Sequence, residues 1–222
     1  MRWEHTMSTA NPVLATIFQS DDNQELMASL FRLRKALFID ERGWKLPCRS
    51  GVESDQFDSA DATYCALAVA GSLVGGFRAI RCDRPYLGIT LFPELATTRS
   101  YPDRSDYWEI SRFGVLRQYK SLGVGLYAVM FGFAERVNAK ALVAVTDLSH
   151  ERLLGKIGVR TRRYGPPVTL RPDQSERPLQ VVAGDIPIFQ QRPETIRFLQ
   201  TCAKQIEIRD ETLVQRPVRI SA

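Results

Sequence analysis

The chain has 222 residues, 44% of them hydrophobic, with a formal net charge of +5 and a pI near 9.2. That length can bury one good core and leaves room for one domain or at most two, and no stretch reaches the apolar length of a membrane span. Cys48, Cys65, Cys82 and Cys202 contain no C-x-x-C pair, which argues against a zinc site, and His5 and His150 leave little for a nucleophile–base pair.

The basic surplus suits nucleic acid or an acidic protein partner. Arg160, Arg162 and Arg163 cluster with Arg152 and Lys156, and the same residues also fit a solvated helix face and strand edge. No helix-turn-helix, zinc-finger or RNA-recognition pattern accompanies them, so an acidic carrier protein is the more economical partner. MRWEHTMSTA lacks the apolar centre of a secretory leader, Met7 is an alternative start, and the cysteines read as free thiols of a reducing cytosol. The expectation is one cytoplasmic domain over residues 1–222, with residues 1–10 flexible.

In chain order, residues 12–19 (PVLATIFQ) alternate loosely and predict a first strand. Asp22 and Glu25 form a capping box, and Leu26, Leu30, Leu33, Leu37 and Phe38 carry a helix to about Phe38. Arg34 and Phe38 share a face of it. Residues 39–60 are polar and predict a long loop of the lid or binding type, carrying Trp44, Asp55 and Asp58. Residues 64–70 and 73–82 predict a hairpin turning at Gly71–Ser72. ITLFPEL predicts a short helical turn and YWEISRFGV (107–115) a strand. Residues 122–137 are apolar on most faces and predict a buried helix, 141–146 a central strand, and 148–158 an amphipathic helix ending at Gly158. VRTRRYG and PLQVVAGDI supply two more strands, and ETIRFLQTCAKQIEI a closing helix. Mixed strands with helices on both faces make a three-layer α/β/α sandwich.

Between Phe31 and Arg112, charged residues stand beside aromatics in segments that otherwise read as core. Arg34, Phe38 and Trp44 form R-x3-F-x5-W, and Asp55 and Asp58 form D-x-x-D. Arg78 follows Gly76-Phe77, Phe92 sits in L-F-P-E-L, and Glu109, Ser111 and Arg112 form E-x-S-R-F. Charges are rarely placed in such surroundings unless they pair or work. Acids and arginines around aromatics suit a zwitterionic or cationic small molecule. The ordered set resembles the defining residues of the N-acyl-homoserine lactone synthases, the LuxI-type autoinducer synthases of bacteria, over roughly residues 24 to 190. A second string, Lys120-x-x-Gly123-x-Gly125 between strand and helix, is similar to the loop with which GCN5-related N-acetyltransferases hold a CoA pyrophosphate. A tight turn packed on the sheet would show the same string.

The resemblance implies the acetyltransferase-like fold with a mixed central sheet and a V-shaped cleft. It implies two substrates, S-adenosylmethionine and an acyl thioester of acyl carrier protein or CoA. No cofactor or metal is implied, since S-adenosylmethionine is itself consumed. Glu109, Ser111 and Arg112 become the catalytic block. Glu109 is the candidate base for the methionyl amine, or else a structural acid paired with Arg112. In a regular strand those two side chains point to opposite faces, so a shared site needs a β-bulge near Ser111. Arg34, Phe38, Trp44, Asp55, Asp58, Arg78 and Phe92 become the S-adenosylmethionine pocket. In it the aspartates hold Arg34 and Arg112, Arg78 grips a substrate carboxylate bidentately, and the aromatics pack on adenosine.

Met130, Phe131, Val143, Val145, Thr146, Leu153 and Leu154 are candidates to line the acyl chain. A threonine in the region of Thr146 is associated in that family with 3-oxo chains. Lys120, Gly123, Gly125, Arg152 and Lys156 are assigned to phosphopantetheine or the carrier protein. A general acyl-CoA N-acyltransferase acting on another amine fits the glycine loop equally well, though not the block from Arg34 to Asp58. A basic nucleic-acid-binding module is the non-enzymatic alternative.

Overall fold

The computed structural model describes residues 12–170 and 179–213; the expectation for residues 1–10 lies outside them. β1 (Val13–Gln19) leads into α1 (Gln24–Arg34). The helix is capped one residue later than the capping box predicts: Asn23 Oδ1 accepts from Leu26 N at 3.0 Å. α1 then widens into a π-helical segment, Lys35–Asp40, closed by Glu41 N donating to the Ala36 carbonyl at 2.9 Å. π-Segments inside helices favour functional positions, and this one separates Arg34 from Phe38.

The predicted loop is therefore shorter than 39–60. It is further tied by a small hairpin of β2 (Cys48–Arg49) and β3 (Val52–Glu53). Ser50 and Gly51 at its turn both have left-handed φ, 51° and 78°, the twist that two-residue hairpins favour.

β4 (Ala62–Val69) and β5 (Ser72–Arg81) form the predicted hairpin, followed by α2 (Leu87–Leu91) and β6 (Tyr107–Val115). α3 (Gly123–Arg136), β7 (Ala141–Asp147) and α4 (Leu148–Lys156) come next. Asp147 caps α4, accepting from Ser149 N at 2.7 Å, and Gly158 beyond its end takes φ +83°. Two short strands, β8 (Arg162–Arg163) and β9 (Val168–Leu170), precede β10 (Leu179–Pro187). The predicted closing helix is two elements: α5 (Pro193–Ala203) ends early, and β11 (Glu207–Asp210) follows. Glu207, Ile208 and Arg209 are exposed, as the residues of an edge strand paired on one side only, here with β1, can be.

The main sheet runs β11-β1-β4-β5-β6-β7-β10-β8, with β9 also on β10. β1/β11 and β6/β7 are parallel and the other pairs antiparallel. One face packs on α3 and α5 through Ile17, Phe77, Ile110, Leu142 and Phe133. The other packs on α1 through Leu30, Leu37, Tyr64, Ile80 and Val143. These are the three expected layers.

Two irregularities shape the middle of the sheet. β6 and β7 pair only from Tyr107–Ala141 to Glu109–Val143, and beyond that they run on without pairing. On the other side of β6, Ser111 faces Arg78 and Gly114 faces Gly76, so Phe77 alone opposes Arg112 and Phe113. This is a β-bulge, with Arg112 in the left-handed region at φ 52°. A glycine at 76 lets β4 approach β5 beside it: a Cβ there would run into the Cys65 carbonyl oxygen. Gly76→Ala should therefore cost about 2–4 kcal/mol. A thermal melt should show a midpoint lower by roughly 4–15 °C, and a shift within 1 °C would show that the strands have room to separate.

Candidate active site

Three arginines and three carboxylates meet between α1, the β3 hairpin, β5 and the bulge of β6. Arg34 Nε donates to Glu53 at 2.6 Å and its Nη1 to Asp58 at 2.7 Å. Arg78 Nη1 reaches Asp55 at 2.5 Å and Asp58 at 2.9 Å, while its Nε donates to Ser111 Oγ at 3.1 Å. Arg112 Nη2 bridges Glu53 at 2.9 Å and Asp55 at 2.7 Å. Asp58 also accepts from the Asp55 backbone N–H at 2.7 Å and from the Tyr64 hydroxyl at 3.2 Å.

Arg34, Arg78 and Glu53 are buried, so these charges persist only because they neutralise one another. Burial alone would push the Asp58 carboxyl up, but the Arg34 and Arg78 guanidinium groups outweigh it and hold the carboxyl below its ordinary range. Burial likewise opposes the charge on Arg34, and Asp58 and Glu53 more than restore it.

This geometry corrects two expectations. Arg78 does not present its fork to a substrate: Asp55, Asp58 and Ser111 occupy it, because a guanidinium with no exposed surface must be paired within the protein. Glu109 is not the partner of Arg112, which Glu53 and Asp55 take. The aspartates hold Arg34 and Arg112 as expected, Asp55 standing 3.9 Å from Arg34, and both also hold Arg78. One donor is left over: Arg34 Nη2 is buried without a hydrogen-bond partner.

Glu109 occupies a separate niche on the same face of the sheet. Its oxygens accept from Gly88 N at 2.6 Å and Leu87 N at 2.9 Å, at the start of α2. Burial raises its pKa to about 7, more than the two backbone donors lower it. The bulge brings Glu109, Ser111 and Arg112 towards one face, although an unbroken strand would put the first and last on opposite sides. Phe38 is buried and stacks on half-buried Trp44 at 5.3 Å, and Arg42 lies over both rings. Phe92, at the end of α2, is half-buried and accepts the Tyr101 hydroxyl at its carbonyl.

A groove of about 340 Å³ opens where β6 and β7 part. Phe113, Gly114, Arg42, Lys120, Gly123, Tyr127, His150 and Leu153 stand along it. Lys120 and Gly123 thus lie where the glycine string predicts, at the start of α3. Gly125 is instead packed against Ile206.

The candidates for the acyl chain do not form one lining. Met130, Phe131 and Leu154 belong to the core on the α3 side, whereas Val143 and Val145, two apart on β7 and so on one face, point to the α1 side of the sheet. Thr146 is half-buried opposite Val182, outside the groove. Of the seven, only Leu153 borders it. Arg152 and Lys156 are exposed on α4.

Sequence reasoning missed Glu53, Arg42, Tyr127, His150 and the Leu87–Gly88 backbone. Glu53 had a signal in charge balance, since three clustered arginines call for a third acid beside Asp55 and Asp58. The backbone donors had none. Among the described residues, no group of three or more acidic, histidine or cysteine side chains is placed to hold a metal ion, and no helix is long and apolar enough to cross a membrane.

Comparison with known proteins agrees with this geometry. The autoinducer synthase family profile matches residues 18–192. An acyl-homoserine-lactone synthase of Acinetobacter nosocomialis is 29% identical over 165 residues, 69% of this chain and 90% of the relative. One from Ralstonia nicotianae is 33% identical over 151 residues, 63% of this chain and 74% of the relative. The structure of BjaI, a CoA-dependent acyl-homoserine lactone synthase, with MTA superposes with a TM-score of 0.79 over 90% of this chain and 93% of its own, at 22% identity. TofI, in a ternary complex with an inhibitor and MTA, gives 0.71 at 29% identity, over 83% and 96%. FeeM, an N-acyl amino acid synthase from uncultured soil microbes, shares the fold with a TM-score of 0.58 at 13% identity, over 89% and 99%. With a matching profile over most of its length and this acyltransferase-like sheet, the chain belongs to the autoinducer synthase family and is an acyltransferase of the acyl-homoserine-lactone synthase class.

Proposed function

We propose that the chain transfers an acyl group from the phosphopantetheine thioester of acyl carrier protein or CoA to the α-amine of S-adenosylmethionine. The carboxylate then closes on the γ-carbon, releasing 5′-methylthioadenosine. The observation that carries this reading is Glu109: a carboxylate with a pKa raised to about 7, on the bulged strand that borders the parting of β6 from β7. A bound ammonium is not nucleophilic, and a base poised near neutral pH takes its proton directly or through one water. Both Glu109 oxygens keep a lone pair beyond their backbone bonds for that proton.

The arginine–carboxylate network shapes the wall of the S-adenosylmethionine pocket, with Phe38, Trp44 and Phe92 flanking adenosine. The unmet Arg34 Nη2 donor is left for a substrate oxygen. The groove takes the thioester arm, with Lys120 and the start of α3 at its phosphate end and the bulge at its carbonyl end, where strand N–H groups meet the oxyanion. Lactone closure needs no nucleophile from the protein: the sulfonium leaves, and the bound fold of the substrate supplies proximity. BjaI with S-adenosylmethionine and isopentyl-CoA, at the same TM-score of 0.79, supports this pairing of substrates.

The first expected outcome is coupling. Purified protein should release free thiol from an acyl thioester only with S-adenosylmethionine present, and form methylthioadenosine in step. Equal thiol release with an unrelated amine would favour a general N-acyltransferase.

Glu109→Gln should lower turnover by roughly a hundred- to ten-thousandfold, and the variant should lose the limb on which wild-type activity rises with pH through about 7. The same group sets a stability signature. Folded Glu109 holds its proton between about pH 4.5 and 7 while the unfolded chain has lost it, so stability should fall as pH rises through that window. Chemical denaturation across it should show this decline in the wild type and a flatter line in Glu109→Gln. Wild-type turnover in the variant would move the base elsewhere.

Arg152→Glu together with Lys156→Glu should weaken use of acyl carrier protein far more than use of acyl-CoA, because reversed charges repel an acidic partner. The defect should shrink as salt rises. Equal loss with both donors would assign these residues to the fold or to the shared site.

A further inference from the structure

Glu109 has no exposed surface, although the strand that carries it lines an open groove a few residues further on. Ile80 and Val143 flank it in register on the neighbouring strands, and the start of α2 meets its oxygens. Tyr101 closes a further side. The point that a Cβ on Gly88 would occupy is 3.0 Å from Tyr101 Cε1 and 3.1 Å from Glu109 Oε1. A side chain at 88 would push ring and carboxylate apart, whereas glycine lets both close on the α2 backbone. The Tyr101 hydroxyl also donates to the Phe92 carbonyl at 3.1 Å. One buried side chain therefore holds α2 at both ends.

The ring is held in turn. It tilts on Tyr164 at 5.2 Å and meets Tyr86 edge-on at 6.1 Å. The Thr98 and Arg99 N–H groups donate to the Tyr164 carbonyl at 2.8 and 3.0 Å. The Tyr164 hydroxyl donates to buried Asp185 at 3.0 Å, and Asp185 also accepts from Arg99 at 2.8 Å and Arg162 at 2.7 Å. Asp185 pairs with Val143 on β7, and Val143 pairs with Glu109 on β6. The cover is fastened to the same row of the sheet as the residue it covers, and a site supported by strands keeps its geometry.

The titratable groups around Glu109 are the Cys82 thiol and the Tyr86 and Tyr101 phenols, with Arg78 and Asp55 as the charged neighbours. Burial pushes the thiol and both phenols above their ordinary ranges, so all three stay neutral near pH 7. For Glu109 itself burial is the largest influence, ahead of the two backbone donors, Arg78 and Asp55. Uncovering the carboxyl therefore changes its acidity more than removing any one of those partners.

We propose that Tyr101 is a positioning residue for the reaction: its ring keeps bulk water from Glu109 and presses the Leu87–Gly88 backbone onto the carboxylate. It acts through the base and not on the substrate. The inference rests on the reading of Glu109 as that base.

The test follows the pH profile of kcat in Tyr101→Phe, Tyr101→Leu and Tyr101→Ala, each checked by thermal melt. The Glu109 carboxyl is titrated alongside by NMR, its signal assigned by difference from Glu109→Gln. Tyr101→Phe keeps the ring and should keep the limb at about 7. The two variants without a ring should move both limb and titration down by roughly one pH unit or more. Their plateau turnover should also fall, because a weaker base takes the proton less readily. A folded Leu or Ala variant with limb and titration unmoved overturns the inference, even where its turnover has dropped. Failure of both to fold overturns it as well and makes Tyr101 a residue of the fold. The base reading fails separately: wild-type turnover in Glu109→Gln sinks that reading, and the inference with it. A limb lost in Glu109→Gln but unmoved without the ring sinks the inference alone.

Discussion

Everything in the site hangs on charge neutralisation away from water. Three guanidinium groups and three carboxylates lie between α1, the β3 hairpin, β5 and β6, and most have almost no exposed surface. Pairs of this kind add little net stability, because desolvation offsets much of their attraction. Losing one member is different: it leaves its partner charged and buried, at a cost of about 3–5 kcal/mol. The network therefore acts as a specificity device. It fixes where Glu53, Asp55 and Asp58 must sit, and so folds the segment after α1 down over the sheet.

The second determinant is geometric. A single extra residue at Arg112–Phe113 turns β6 so that Glu109 and Arg112 come towards one face of the sheet. The same place is where β6 and β7 cease to pair. Bulge and splay together open a groove along β6 without a loop having to supply it. The rigid ladder on either side keeps that opening in place, as a site built on strands requires.

The sequence reveals the scaffold through periodicity. Alternation marks the β4–β5 hairpin, and the continuous apolar run at 141–146 marks β7 in the middle of the sheet. It also reveals the need for a bulge, since Glu109 and Arg112 stand three apart in a strand. Other features are written in tertiary packing. Nothing local distinguishes a guanidinium awaiting a substrate from one already held, so the role of Arg78 is legible only once Asp55 and Asp58 are seen on it. Backbone donors such as those of Leu87 and Gly88 leave no trace in residue type. The α5–β11 boundary falls in a stretch whose helix and strand patterns overlap, and pairing with β1 decides it.

That pairing has a bearing on how the chain assembles. Leu14 sits beside Glu207 and Ile17 beside Asp210, joining strands from opposite ends of the described chain. Contacts between such distant segments spend the most chain entropy before returning any free energy. The β4–β5–β6 meander, which carries the bulge, Arg78 and Glu109, is joined by much shorter connections, a turn at residues 70–71 and the segment 82–106. The order of folding favoured by chain entropy thus runs outward from the strands that carry Arg78 and Glu109, and the edge that closes last is the one further across the sheet from Glu109 on β6.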